Sequence, residues 1–503
     1  MRAIGYEFLA EVLQTGAFPI QRPARVGPVT RITEQGNALL VSAAVAPGPD
    51  PLQHLLFALK HEGINLQASI LALKKIPDQA VAEAFLSATS SRYARLACYL
   101  WEIANGRKLE GLPAAVGAYE KLFDEAQYLT DRPRRDTRWR IDFNGIGTPE
   151  YCMTVQRTPV IQQLLQSDIL GQVAQFVAGI DKAVLDRAVR WAYLSETDSS
   201  YAIEKEKPTH SKAEAFAGLL ARARDPEVIS EEYLVDLQNL AVSNPVDQAG
   251  SFRTQQNRLC NDLRGAAGVT YLPPPPELLE SVMAPIMALC NDRTSPVDAL
   301  VRGSLASFAF VFAHPFMDGN GRLSRFLFHK VACSDPKLAD GMVLPISVAM
   351  KRHEKRYLEA LQSYSKLARA CWDVTFVSED TIYQDFRGQP EIYRYWDATA
   401  CVEFGLEMAG EALRHDLVQE LGFLQRYDAI YRAVNDAVDM NNDDLVLLVR
   451  SIASAGTLSI KQRKKLVAKG HRDELIDAAV EAAEDAMAEF EARAEAGLPG
   501  ASH

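Results

Sequence analysis

Apolar and polar positions follow two periods along the chain, and the switches between them mark its elements. Between residues 26 and 46 they alternate about Gln35-Gly36-Asn37, with Val29, Ile32 and the run Ala38–Val45 on the apolar side. A period of two interrupted by a Gly-Asn turn predicts a small hairpin. Pro47–Pro51 (PGPDP) breaks the chain. From 52 to about 105 the period is helical. Leu55, Leu56 and Leu59 open one helix, and Leu96, Tyr99, Leu100 and Ile103 share a face of another that Asn105-Gly106 stops. Residues 107–157 are less regular. Residues 159–195 read as helix, and after SSYAIEKEKPTH (199–210) the helical pattern resumes near Lys212. Residues 245–276 turn polar, contain glycine and end in Pro273–Pro276, which predicts an extended excursion. Helices return from Glu277. The tail from Asp397 is nearly all helical in pattern and closes on the Ala- and Glu-rich Glu474–Ala496. The expected fold is mostly α with small β excursions.

Composition narrows the classes. The chain has 503 residues, 48% hydrophobic and 24% charged, which is globular composition with length for two to four domains. Its net charge is -11 and its pI about 5.5, against a dedicated nucleic-acid binder. RPRRDTRWR (Arg132–Arg140) and LSIKQRKKLVAKGHR (Leu458–Arg472) are local basic clusters, read as a solvated loop and a solvated helix. The seven cysteines form no CxxC pair and are irregularly spaced, so neither disulfides nor a zinc site is expected. The N-terminal MRAIGYEFLAEVLQ has no signal-peptide pattern, and no uncharged apolar run reaches a membrane span. A cytoplasmic protein with no membrane partner is expected.

The chemistry concentrates in HPFMDGNGRLSR, His314 to Arg325. Val297, Val301, Leu305, Phe308 and Phe312 recur at spacings of three and four, so a buried helix delivers His314 at its C-terminal end. Pro315 stops that helix. Gly319-Asn320-Gly321 permits a tight turn and close backbone approach to a ligand. A second helix follows, with Leu323, Phe326 and Leu327 as its apolar face. Its unpaired N–H groups make an anion site suited to phosphate. Arg322 and Arg325 add charged donors, and Asp318 fits beside phosphates when Mg2+ lies between them. A neutral His314 can take a proton from an attacking hydroxyl. His329, His353 and His415 sit in helical contexts and read as non-catalytic.

This stretch resembles the Fic family motif HxFx(D/E)GNGRxxR at every defined position. Upstream, GSFRTQQN…VTYLPPPPELL (Gly250–Leu279) resembles the family's flap region, and downstream LPISVAMKRHEKRYLEAL (Leu344–Leu361) resembles its closing segment. The resemblance covers roughly 230–370. It implies a Fic-type helical core with a hairpin flap, flanked by N-terminal α+β and C-terminal helical regions. The expected divisions are 1–110, 111–229 (helical, with the inhibitory motif), 230–375 (catalytic) and 376–503 (helical). It also implies a protein adenylyltransferase: AMP passes from ATP to a Ser, Thr or Tyr hydroxyl of a target protein or of the chain itself. In that reading His314 is the base and Asp318 binds Mg2+ on the phosphates. Gly319, Asn320 and Gly321 bind the nucleotide with neighbouring amides, Arg322 and Arg325 grip the outer phosphates, and Phe316 packs the loop down. The flap, near Phe252–Tyr271, pins an extended target segment by main-chain pairing.

Ser200-Tyr-Ala-Ile-Glu204 resembles the family's inhibitory motif, [S/T]xxxE[G/N], in its N-terminal position. The resemblance implies that Glu204 pairs with Arg325 and draws it away from the γ-phosphate, while Ser200 helps fix the helix. Lys205 departs from the pattern, standing where Gly or Asn is expected. Two other functions stay open: removal of AMP by the same site, and a non-enzymatic nucleotide-sensing or DNA-binding regulator. The motif holds phosphates, so the base is also open. Dimers are common among similar proteins, which puts a homodimer among the expected partners.

Overall fold

Asp298 accepts hydrogen bonds from the backbone N–H groups of Leu300 (2.8 Å) and Val301 and so starts a helix, Ala299–Ala313, buried at every residue but Val311. A helix apolar all round belongs in a core. Its neighbour is the helix that follows the Gly-Asn-Gly turn, Asn320–Ala332. The two come close because Gly303 has no side chain: a Cβ there would lie 3.0 Å from the Phe328 carbonyl oxygen. Phe312 is wrapped by Tyr364 (4.5 Å between ring centroids), Trp396 (5.2 Å) and Tyr271 (6.2 Å).

This computed structural model describes residues 1–497 apart from 179, 243, 262, 264, 339, 340, 379 and 380. The chain is mostly helical and divides into two units. One holds Met1–Asp168, Thr197–Pro336 and Met350–Met408, and the other Ile169–Glu196, Lys337–Ala349 and the chain from Ala409.

In the first unit the expected hairpin forms between Thr33–Gln35 and Ala38–Val41. It is part of a four-stranded sheet, because Ala24–Val26 pairs parallel to Ala38–Val41 and antiparallel to Ala3–Ile4. Helix Pro51–His61 starts where the proline-rich break predicts, with Asp50 accepting from the N–H of Leu52 and Pro51 at the first position, where no N–H is needed. Helix Arg92–Asn105 ends in a left-handed Gly106. Residues 111–229, expected to be helical, carry strands as far as Tyr151–Thr154 and helices only from Pro159. The basic cluster at 132–140 is not a solvated loop. Arg134–Asp136 is a strand beside Ile141–Phe143, Arg135 pairs with Asp142 (2.9 Å) and Trp139 is fully buried. Residues 376–503, also expected to be helical, complete a hairpin, Trp372–Ser378 with Thr381–Phe386. A further strand, Tyr395–Asp397, pairs parallel to Tyr151–Thr154.

In the second unit, Val418–Ala437, Asn442–Ala455, Ile460–Ala468 and the tail helix from Asp473 pack around Ile430, Val434, Leu448, Leu466 and Ile476. The basic stretch from Leu458 is helical over Ile460–Ala468 with only Leu466 buried, and Arg463 pairs with Asp473 and Asp477.

A branched side chain at Gly303 has to push the two central helices apart. Gly303→Val is expected to destabilise by about 1–3 kcal/mol through overpacking, read as a lower thermal midpoint; an unchanged midpoint would show that the pair has slack.

Candidate active site

His314 caps helix Ala299–Ala313 in a left-handed backbone (φ 49°, ψ 58°), its N–H bonded to the Phe310 carbonyl. That turn swings the ring out of the core, and the residue is partly exposed. Nδ1 lies 3.1 Å from the Val311 carbonyl oxygen. A carbonyl can only accept, so Nδ1 carries the proton and Nε2 is left with a lone pair. Desolvation pushes the ring's pKa down to about 4, so it is neutral at pH 7.

The turn is locked from within. Asn320 Oδ1 accepts from the Phe316 N–H (3.0 Å) and its Nδ2 donates to the Phe316 carbonyl (2.8 Å). Both ends of the amide are thereby engaged within the loop, which leaves the neighbouring backbone N–H groups as the donors at this position. Phe316 is buried against Phe252. Gly319 takes φ 88°, which a residue with a side chain adopts at a cost, and its N–H donates to Asp318 Oδ1 (2.7 Å).

Both motif arginines are buried, each about 1% exposed. Arg325 donates to the Ser200 hydroxyl through Nε (2.7 Å), and through Nη2 to the Ser200 carbonyl (2.8 Å) and Glu204 Oε1 (2.9 Å). The Glu204 carboxylate stands against Gly321, where any Cβ would collide with it. It thus sits at the start of helix Asn320–Ala332, beside the free N–H groups that suit an anion. Arg322 makes a two-armed contact with Glu206 (3.0 and 3.3 Å), bonds the Ala241 carbonyl (2.9 Å) and reaches Asp318 (3.2 Å). The Tyr201 ring lies 5.0 Å from its guanidinium carbon. Arg322, expected on the outer phosphates, is here held by Glu206, Asp318 and the Ala241 carbonyl.

The end of helix Lys182–Ile203 explains how Glu204 and Glu206 reach two arginines. Helix Lys182–Ile203 closes with Lys205 N–H on the Ala202 carbonyl (3.1 Å) and Glu206 N–H on the Tyr201 carbonyl (3.0 Å). This is a Schellman ending, whose left-handed position belongs to Gly or Asn. Lys205 occupies it at φ 59°, so the departure from the family pattern keeps the geometry and carries strain.

Asp318 is the one carboxylate that the resemblance assigns to a metal. Its side chain is 42% exposed, and no group of three or more Asp, Glu, His or Cys able to hold a metal occurs among the described residues. That donor set fits Mg2+ held mainly by phosphate oxygens and water. Sequence reasoning missed Glu206, Arg253 and Asn257. Glu206 lay two positions past Glu204 in the alternating stretch Glu204-Lys-Glu-Lys207; the other two lay in GSFRTQQN without a role of their own.

The flap forms a two-stranded hairpin, Leu259–Cys260 with Val269–Tyr271; residues 262 and 264 of its tip lie outside the described residues.

Relieving the strain at Lys205 should tighten this arrangement. Lys205→Gly is expected to stabilise by on the order of 1 kcal/mol, seen as slower amide exchange over Ser200–Glu206; faster exchange there would contradict the Schellman reading.

Comparison with known proteins agrees with the turn. No functionally curated protein matches. Among solved structures, the chain is similar to a Fic family protein from Desulfovibrio desulfuricans (19% identity, 61% of this chain and 87% of that one, TM-score 0.40). It is also similar to a Fic domain containing signaling protein from Bacteroides thetaiotaomicron (17%, 53% and 95%, 0.34) and to Fic-1 (residues 134–508) from C. elegans (15%, 75% and 99%, 0.34). These likenesses are too distant to carry function. The Fic/DOC family model matches residues 228–332, and the flap, His314, the Gly-Asn-Gly turn and both arginines lie within that match.

Proposed function

We propose that this site transfers AMP from ATP to a hydroxyl side chain of a protein, and that the arrangement described is its restrained form. The observation that carries the proposal is the pairing of Arg325 with Ser200 and Glu204 beside a histidine whose Nε2 is free to accept a proton.

In the reaction, the target's hydroxyl oxygen attacks the α-phosphorus, the bond to the β-phosphate oxygen breaks, and pyrophosphate leaves. His314 Nε2 takes the hydroxyl proton; Nδ1–H on the Val311 carbonyl holds the tautomer and the ring plane. The amides at the start of helix Asn320–Ala332 and the guanidinium of Arg325 stabilise the phosphate charge, so catalysis is positioning plus electrostatics. Mg2+ carried on the phosphates and held from the protein side by Asp318 would neutralise the departing pyrophosphate.

Charge explains the restraint. Glu204, Glu206 and Asp318 face Arg322 and Arg325, three carboxylates against two cations. A triphosphate cannot add to a site already balanced this way unless an anion leaves. Glu204 is the one beside the anion site at Gly321, and its side chain is about one third exposed, which leaves it able to depart. Arg325 cannot hold both Glu204 and the γ-phosphate.

Incubation with ATP labelled at the α-phosphate and Mg2+ tests this. Glu204→Gly is expected to raise labelling of the chain or its target by about tenfold or more, from the loss of one charge-assisted contact. His314→Ala in that background is expected to lower it by about 10²–10⁴. Equal labelling with and without the imidazole would end the assignment. A pH profile gives a second check. His314 has a folded pKa near 4, below its ordinary value, so it stays in the base form as pH falls from 7 to about 5. The kcat/KM of Glu204→Gly should stay level across that window, and an inflection near 6.5 that disappears with His314 would contradict the buried neutral ring.

A further inference from the structure

The opening of the flap region grips the catalytic turn by its backbone. Three consecutive carbonyls, on His314, Pro315 and Phe316, each accept a hydrogen bond from the short segment Arg253–Asn257. The donors are Arg253 Nε (2.8 Å), the Arg253 backbone N–H (2.8 Å) and Asn257 Nδ2 (3.0 Å). The remaining arms of the Arg253 fork reach the Pro274 carbonyl, just past the flap hairpin, at 2.6 Å, and the Gln255 carbonyl at 3.1 Å. Arg253 thus joins the segment before the hairpin, the segment after it, and the residue that bears the imidazole.

Two features mark this as more than packing. Arg253 is buried, and every hydrogen bond its side chain makes goes to a carbonyl, none to a carboxylate. Burying a cation in contact with carbonyls alone is unfavourable, and desolvation draws its pKa down to about 10 although Glu277 acts on it from farther off. A neutral side chain would fill the space at less cost, unless the fork and its charge serve the site. The residue it holds is itself strained: His314 sits at φ 49°, a conformation unfavourable to a residue with a side chain that persists only where neighbours over-determine it.

Resting on the transferase reading above, we propose that Arg253 is a positioning residue of this site. It ties both ends of the flap to the backbone of His314, so that a target segment paired with the flap and the imidazole that takes its proton share one frame. Asn257 is the second tie. The charged groups that face the ring are Arg253, Glu204 and Asp318, and Arg253 is the only cation of the three. Its charge favours the neutral imidazole. Displacing a base by about 1 Å can lower a rate about a hundredfold, so the frame matters to turnover more than to nucleotide binding.

The test uses the full chain carrying Glu204→Gly as parent. Arg253→Met keeps the length and removes the charge and the fork; Asn257→Ser is the milder variant. Arg253→Met is expected to lower kcat for protein labelling by about 10–100-fold while the KM for ATP stays within about twofold, and Asn257→Ser should lower kcat by less. An activity-free readout is nitrogen-15 NMR titration of the histidine rings, with His314 assigned by its loss in His314→Ala. The His314 ring is expected to titrate at higher pH in Arg253→Met than in the parent. A folded Arg253→Met with unchanged kcat and unchanged His314 titration overturns the proposal, as does a rise in KM for ATP with kcat preserved. Should Arg253→Met not fold, Asn257→Ser with parental kcat and parental amide protection at Phe316 overturns it instead. A parent that labels nothing defeats the transferase reading alone, and the ring titration then decides the positioning role.

Discussion

Two guanidiniums buried side by side on one helix face set the terms for the whole site. Arg322 and Arg325 lie about one turn apart on Asn320–Ala332, both nearly sealed from water. Two cations buried this close together are costly without anions beside them. In the resting arrangement they come from one helix end, as Glu204 and Glu206, with Asp318 from the turn. In the proposed working arrangement phosphates supply part of that charge. Competition for the same donors is the physical content of the restraint, and it needs no large rearrangement of the turn.

The turn itself stays put because its polar groups are satisfied within the catalytic unit. Asn320 closes it from inside, and Arg253 and Asn257 hold it from outside. The backbone of His314 held in this way is strained: the helix ends in a left-handed residue whose imidazole is desolvated yet partly exposed.

The turn was legible in the sequence because its chemistry is contiguous. A histidine, a carboxylate, two glycines and two arginines within twelve residues leave few alternatives, and Ser200 and Glu204 meet Arg325 as the resemblance implied. Arg253 was not legible. Its partners are carbonyls, which leave no trace in side-chain pattern. The strands at 120–154 and 395–397 were missed because they are two to four residues long, too short to show alternation, and because Tyr395–Asp397 pairs with a partner some 240 residues earlier. The hairpin at 372–386 does alternate, with Trp372 and Val374 opposite Phe386 and Gln384, but its apolar face is completed by Val269 and Leu272 from the flap region, which no local window contains. Asn320 was placed near the phosphates by resemblance, and only the coordinates of its amide reveal that it serves the loop.

Under the proposed restraint, Lys205 supplies an adjustable tension. A residue with a Cβ in the left-handed position raises the energy of the docked helix end by about 1 kcal/mol relative to glycine, and that energy is recovered on release. Through the Boltzmann relation this multiplies the released population roughly fivefold. One residue that touches neither nucleotide nor histidine can therefore set the resting leak of the site. Exchange among lysine, asparagine and glycine at this position would move the set point of the switch in graded steps while leaving its catalytic limit alone.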